Sequence, residues 1–131
     1  MPLSLISFIY NHDSQRSTPK RGDIVLVLFP NSDLLTAKKR PALIVQRDNL
    51  QTEIPQIIVA MITSRMIRAE HPSRITIKRD SSIGKQSGLL TDSVIMTDNL
   101  ATILQSGIYQ IIGSLPTDSL DPVLKYTLGL P

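Results

Sequence analysis

The chain contains a series of short apolar runs that are rich in β-branched residues and end at Pro, Gly or polar clusters. Continuous apolar runs of this length are typical of strands buried on both faces. One further run alternates apolar and polar side chains, which is typical of a strand with one exposed face. The pattern predicts six strands, over residues 24–29, 41–47, 56–62, 73–78, 93–97 (extended by 101–104 after a turn) and 108–113.

A helical period occurs only at the C-terminal end, where Leu120, Val123, Leu124 and Leu128 follow one another at helical spacing. Asp121-Pro122 is predicted to form the N-cap and first turn of this helix. The Ser- and Gly-rich residues 80–88 are predicted to be a flexible loop. Many short strands and one closing helix predict a mainly β fold, a small β-barrel with a C-terminal helix.

The length of 131 residues and the hydrophobic content of 41% suffice for one domain with its own core. We place this domain at residues 21–131. Residues 1–20 begin with an apolar stretch and continue with polar and chain-breaking residues. They are predicted to form an N-terminal arm or linker.

Several classes of site are excluded by composition. The chain has no cysteine, so it has no disulfide, thiolate metal site or cysteine nucleophile. No pair of His, Asp or Glu residues recurs at metal-ligand spacing, and no Gly-rich phosphate loop follows a strand. No apolar run reaches the roughly 18 residues of a membrane span, and the start lacks the features of a signal peptide. We therefore expect a cytoplasmic protein with no metal, no cofactor and no membrane contact.

The positive charges are concentrated in the middle of the chain. The net charge is only +3, but residues 38–85 hold ten basic and four acidic residues. Residues 86–131 hold one basic and four acidic residues. A basic face on an otherwise neutral body is typical of proteins that bind polyanions, although an ordinary solvated surface gives a similar count.

Two of the predicted strands carry cationic and hydroxyl residues at one end. Lys38-Lys39-Arg40 precedes the second strand, and Thr63-Ser64-Arg65 follows the third. If the two strands pair, these ends meet at one edge of the sheet. A guanidinium beside a hydroxyl suits a phosphodiester, because the first balances charge on the phosphate oxygens and the second donates a neutral hydrogen bond. RNA supplies its own nucleophile, the 2′-hydroxyl, so this arrangement indicates an enzyme that cuts RNA.

A structural interpretation of the same residues remains open. An arginine such as Arg40 often closes a loop over a carboxylate. A Thr-Ser pair such as Thr63-Ser64 often caps the turn that follows a strand. Their joint occurrence at the ends of two neighbouring strands favours the functional interpretation.

Five blocks of the sequence resemble the MazF/PemK-type toxins in their order and spacing: residues 21–25, 39–45, 60–65, 88–94 and 112–115. The resemblance covers roughly residues 20–130. It implies an SH3-like β-barrel that forms a homodimer. It also implies a sequence-specific, metal-independent endoribonuclease that cleaves single-stranded RNA (mRNA). Such a protein is the toxin of a type II toxin–antitoxin pair, and its expected protein partner is a cognate antitoxin.

The same resemblance suggests roles for individual residues. Arg40 and Thr63 fall on the family's catalytic arginine and threonine. The basic and hydroxyl residues beside them are expected to bind the substrate: Lys38, Lys39, Ser64 and Arg65.

The proton acceptor is less well defined. Asp98 occupies the place of a catalytic carboxylate in some PemK-like relatives, but it could equally be a turn residue that bonds its own backbone. Those relatives carry an arginine two residues earlier, where this chain has Met96. His12 and His71 are assigned no role, because neither has an evident fixed partner.

Two other functions fit a basic barrel. It could bind RNA without cutting it, or it could bind a protein, as CcdB-like gyrase poisons do on a similar fold. Phe29 and Tyr109 lie in predicted strands and are expected in the core. Base recognition would then depend on polar loops and backbone groups instead of aromatic stacking.

Overall fold

Six strands and two helices make up the part of the chain that the computed structural model describes, which is residues 18–30, 33 and 35–131. The strands are β1 (Asp23–Pro30), β2 (Ala37–Ile44), β3 (Gln56–Thr63), β4 (Arg74–Ile77), β5 (Ser93–Leu104) and β6 (Ile108–Ser114). The helices are α1 (Ser82–Ser87) and α2 (Thr117–Leu128). Apart from residues 18–20, the predicted N-terminal arm lies outside the described residues.

All strands pair antiparallel in one sheet of order β4-β5-β3-β2-β1-β6. The sheet curls into a half-barrel, and α2 follows it at the C-terminal end. The predicted fold class, mainly β with an SH3-like barrel and a C-terminal helix, is confirmed.

Each face of the sheet buries its own hydrophobic cluster, because successive side chains of a strand point to opposite faces. On the first face, strand residues such as Leu43 and Ile95 pack with Leu120 of α2 and are fully buried. The second face buries a cluster of strand residues: Val25, Val27, Ala42, Ile44, Ile57, Val59 and Ile108. Full burial of one such aliphatic side chain contributes about 1.5–3 kcal/mol.

Strand β2 begins at Ala37, four residues before the predicted start at Pro41. Lys38, Lys39 and Arg40 are therefore strand residues, although the sequence placed them before the strand. The reason is pairing with β1, which sets Lys39 opposite Leu28 and Arg40 opposite Val27. Cross-strand pairing outweighs the weak strand propensity of lysine and arginine at these positions.

The predicted flexible loop at residues 80–88 contains helix α1. Ser81 is its N-cap, since the Ser81 hydroxyl accepts a 2.9 Å bond from the Gly84 N–H. Gly88 ends the helix in the left-handed conformation with φ of 73°. The loop prediction was wrong because a short serine-capped helix leaves little signal in composition.

Helix α2 begins at Thr117, so Pro122 lies inside it and not in its first turn as predicted. Proline removes one backbone N–H, which leaves the Asp118 carbonyl without its usual helical donor. Two contacts hold this end of the helix in place. Leu120 is fully buried, and the Asp121 carboxylate lies 2.7 Å from the Arg21 guanidinium.

Strand β5 continues through the segment predicted as a turn by forming a bulge. Met96 lies opposite Met61 on β3, whereas Leu100 lies opposite the preceding residue, Ala60. Residues 97–99 therefore have no partner on β3. Such an insertion bends the strand and redirects its side chains, which determines where Asp98 and Asn99 point.

Gly88 offers a test of the contact between α1 and β6. A Cβ at Gly88 would collide with the Ile112 carbonyl oxygen, whereas a Cβ at Gly129, which has a similar φ of +70°, meets nothing within 4 Å. We expect Gly129→Ala to cost about 1–2 kcal/mol, which is the left-handed strain alone. Gly88→Ala should cost about 1–3 kcal/mol more, because the β6 backbone must move. Urea unfolding measures both, and equal losses would contradict the close approach.

Candidate functional site

A groove of about 750 Å³ lies at the end of the sheet where β2 begins and β3 ends. The loop that follows α1 forms another part of its wall, through residues 88–91. Six of the seven predicted site residues line it: Lys38, Lys39, Arg40, Thr63, Ser64 and Arg65. The seventh, Asp98, is not among the residues that line the groove.

The pairing of β2 with β3 brings Arg40 and Thr63 to the same face of the sheet. The last paired residues at this end are Ala42 and Met61. Continuing that register by two residues sets Arg40 across from Thr63. Residues opposite one another on an antiparallel pair point to the same face. This register is consistent with the position of both residues in the lining of one groove.

The Thr63 hydroxyl accepts a 3.1 Å hydrogen bond from the backbone N–H of Arg65. Thr63 therefore caps the turn after β3, as the structural interpretation of the sequence proposed. It does not exclude a role in binding, because the bond uses the hydroxyl oxygen as an acceptor and leaves its hydrogen for donation. Thr63 is partly buried, whereas Ser64 and Arg65 are exposed. The cap fixes the hydroxyl at the edge of the groove.

Arg68 also lines the groove and was missed by the sequence analysis. It ends a short 3-10 turn, Met66–Arg68, that begins directly after Arg65. The usable signal in the sequence was its closeness to Arg65, since Arg68 follows three residues later in the same basic segment. No Asp or Glu of the described residues lines the groove. Five cationic side chains line it: Lys38, Lys39, Arg40, Arg65 and Arg68. The electrostatic surroundings favour an anionic ligand.

Asp98 forms an ion pair with Arg74 of β4. The Arg74 guanidinium donates to Asp98 Oδ2 at 2.9 Å and to Oδ1 at 3.4 Å. It also donates to the Arg68 carbonyl at 2.9 Å, which ties the Met66–Arg68 turn to the sheet. The Arg74 hydrogen bond holds the pKa of Asp98 below its ordinary value, and burial opposes this only in part. A carboxylate with a lowered pKa is a weak proton acceptor, so the placement does not favour Asp98 as a base.

The structure also shows where Met96 and His71 lie, two residues that the sequence analysis considered together with the proton acceptor. Met96, which precedes the β5 bulge, and Asn99, which lies in it, both line the groove. His71 lies outside it and has a fixed partner, contrary to expectation. Its Nδ1 lies 2.7 Å from the Ser73 hydroxyl and accepts from the Ser73 N–H at 3.1 Å. His12 lies outside the described residues.

The expected core position of Tyr109 was wrong. Its side chain is 41% exposed, and the Lys39 ammonium lies 3.6 Å from the ring centroid. The side chain of Phe29 lies outside the described part of the structure.

No group of three His, Asp or Glu side chains in the described ranges is arranged to hold a metal ion. Neither helix of the described chain is long and apolar enough to cross a membrane.

The Arg74–Asp98 pair generates a prediction about acid stability. Because the folded pKa of Asp98 is lowered, its contribution to stability is complete above about pH 3.9, the pKa of an unfolded Asp. This contribution is lost as pH falls through the folded value. Asp98→Asn should therefore destabilise the protein at neutral pH, and the difference from wild type should shrink towards zero in acid. Urea unfolding as a function of pH measures this.

The control for this experiment is a double-mutant cycle. In an Arg74→Met background, Asp98→Asn should have little pH-dependent effect, because the partner is already absent. A pH dependence that persists in that background would show that Arg74 is not its cause.

Comparison with known proteins identifies the same architecture elsewhere. The family model described as PemK-like, MazF-like toxin of type II toxin-antitoxin system matches residues 20–126. Among solved structures, a mycobacterial endoribonuclease in complex with its cognate antitoxin is 18% identical with a TM-score of 0.65. That match covers 87% of this chain and 98% of the other.

Two further structures are similar. Mycobacterium tuberculosis toxin MazF-mt6 is 22% identical with a TM-score of 0.62, over 83% of this chain and 98% of that one. MazE-MazF from Deinococcus radiodurans is 19% identical with a TM-score of 0.65, over 86% and 97%. At these identities, the structures share the fold with this chain.

Proposed function

The chain belongs to the PemK-like, MazF-like toxins of type II toxin–antitoxin systems, and on that premise we propose that it is a metal-independent endoribonuclease. Its substrate is single-stranded RNA, chiefly mRNA in the cytoplasm, which it cuts at a specific sequence. The observation that carries the proposal is the position of Arg40 and Thr63. Both lie on one face of the β2–β3 pair, in a groove that five cations and no carboxylate of the described residues line.

The proposed reaction uses the nucleophile that RNA contains. The 2′-hydroxyl gives up its proton to water and attacks the adjacent phosphorus. The bond from phosphorus to the 5′-oxygen of the next nucleotide breaks, and that oxygen takes a proton from water as it leaves. The products are a 2′,3′-cyclic phosphate and a 5′-hydroxyl. The protein must hold the phosphate in line for attack and balance the charge that grows on its non-bridging oxygens.

Arg40 and Thr63 divide this work. The Arg40 guanidinium presents a planar fork of donors to the phosphate oxygens and carries a fixed positive charge. The Thr63 hydroxyl donates to the same phosphate while the Arg65 N–H holds its oxygen. Asp98 is engaged with Arg74 and lies away from the groove. Catalysis in this proposal therefore depends on orientation and charge stabilisation more than on a built-in general base.

The remaining groove residues bind the RNA strand. Lys38, Lys39, Arg65 and Arg68 neutralise flanking phosphates, and the Ser64 hydroxyl adds a neutral donor. These contacts give affinity and position but carry no base preference themselves.

We further propose a cognate antitoxin as the protein partner and a homodimer as the active form. Two of the similar structures contain an antitoxin: the mycobacterial endoribonuclease complex and MazE-MazF from D. radiodurans. An acidic, partly disordered antitoxin segment would fit a cationic groove and would exclude RNA from it.

A second candidate function is RNA binding without cleavage. It is favoured by Met96, an apolar residue in the groove where some relatives carry an arginine, and by the engagement of Asp98 with Arg74. A silent barrel would bind RNA with strong salt dependence and release no fragments.

Cleavage in the presence of EDTA tests the enzymatic proposal. Purified wild-type protein should cut a long single-stranded RNA at discrete sites and leave 2′,3′-cyclic phosphate ends. Arg40→Ala and Thr63→Val should each lower the cleavage rate by about 10²–10³, the usual effect of removing one transition-state donor. Arg79→Ala is the matched control, because Arg79 is exposed and does not line the groove. Intact RNA after incubation with the wild type would contradict the enzymatic function.

The salt dependence of RNA binding tests the cationic side chains of the groove separately from the cleavage step. Binding of a 2′-O-methyl RNA, which cannot be cleaved, is measured by fluorescence anisotropy over a range of salt concentrations. Arg65→Ala and Arg68→Ala should each lower the slope of log K against log salt by about 1, because each removes one phosphate contact. Arg79→Ala should leave the slope unchanged. A slope that does not change in either groove variant would remove both arginines from the binding site.

A further inference from the structure

Tyr109 occupies a bulge that turns its ring out of the sheet. On β6, Gln110 lies opposite Leu26 of β1, and Ile108 lies opposite the next residue, Val27. Tyr109 therefore has no partner on β1. A bulge of this kind redirects the side chain that it inserts. The ring is accordingly 41% exposed, although residue 108 beside it is buried in the core.

The ring lies next to the cationic groove. The Lys39 ammonium is 3.6 Å from the ring centroid, and Lys39 also lines the groove. Lys39 thus connects the two features. Leu28 lies directly opposite Lys39 in the β1–β2 ladder and is 46% exposed, which adds apolar surface at the same place.

We propose that Tyr109 is a stacking residue for one nucleobase of the bound single-stranded RNA. This rests on the proposed function and deepens it. Lys39 holds the phosphate beside that base, so the pair takes one nucleotide through its two chemically different parts.

The chemistry of the tyrosine ring and of Lys39 favours a nucleobase as the group that binds at Tyr109. Every base has a flat π face that stacks on a tyrosine ring, and single-stranded RNA leaves that face available. A tyrosine has two rotatable side-chain bonds, so immobilising it costs little entropy. When RNA binds, the Lys39 ammonium exchanges its contact with the ring for a phosphate, which is the stronger, charge-assisted interaction. The ring face that it leaves is then open to the base.

The test uses three tyrosine variants and an uncleavable RNA. Binding of short, mixed-sequence 2′-O-methyl oligonucleotides is measured by anisotropy for wild type, Tyr109→Ala, Tyr109→Phe and Tyr126→Ala. Tyr126 is the matched control, since it is 60% exposed on α2 and, unlike the Tyr109 ring, has no groove lysine over its face. Tyr109→Ala should bind about ten- to a hundredfold more weakly, the range expected for loss of one stacked base. Tyr109→Phe and Tyr126→Ala should bind like wild type.

Two further measurements distinguish stacking from a structural role. The salt slope should be unchanged in Tyr109→Ala and reduced in Lys39→Ala, because only the lysine contacts a phosphate. An abasic site moved along the RNA should weaken wild-type binding at one position, and Tyr109→Ala should be insensitive to the abasic site at that same position. Urea unfolding of each variant accompanies the binding data.

The outcomes separate this inference from the proposed function. If Tyr109→Ala binds RNA as tightly as wild type, or if every abasic position has the same effect in both proteins, the stacking role is overturned. A variant that loses binding only to an acidic peptide would also overturn it, in favour of a protein partner. Because the RNA cannot be cleaved, these results stand even if wild type fails to cut ordinary RNA. Such a failure would overturn the enzymatic proposal alone.

Discussion

The register between β2 and β3 is the constraint on which the groove depends. Three pairs of residues, from Ala42–Met61 to Ile44–Val59, set this register, and they are largely buried in the two hydrophobic clusters. Extending this register brings Arg40 to the level of Thr63 and turns both to one face. A slip of one residue would turn one of the two side chains to the opposite face and would expose part of both cores. Core packing therefore enforces the geometry of the site.

The bulge in β5 determines what the groove contains besides these two residues. By removing residues 97–99 from the ladder with β3, it lets Met96 and Asn99 line the groove while Asp98 reaches Arg74. The Arg74 guanidinium also donates to the Arg68 carbonyl and so holds the turn that carries Arg68 at the groove. Asp98 therefore supports the groove indirectly, by holding the arginine that fixes this turn. This leaves the groove without a carboxylate of the described residues that could oppose binding of an anion.

Much of the fold could be predicted from the sequence, because apolar runs with β-branched residues indicate strands wherever they occur. The errors share a physical cause. The early start of β2 at Ala37 depends on pairing with β1, and the helical position of Pro122 depends on the burial of Leu120 and the contact of Asp121 with Arg21. Helix α1 depends on a single serine cap and a glycine. Neither the long-range contacts of β2 and α2 nor the local caps of α1 leave a periodic signal in the chain.

The candidate site, like the fold, could be predicted from the sequence only in part. The sequence by itself determined the residue types and their position at the ends of two neighbouring strands, which sufficed to bring Arg40 and Thr63 together. Only the tertiary structure decided which nearby side chains join them. It added Arg68 and Asn99 to the groove, paired Asp98 with Arg74, and exposed Tyr109 beside Lys39. The reason is that strand periodicity specifies a face only while the ladder is regular. At a bulge that periodicity breaks, and the direction of a side chain is then set by its partners in space.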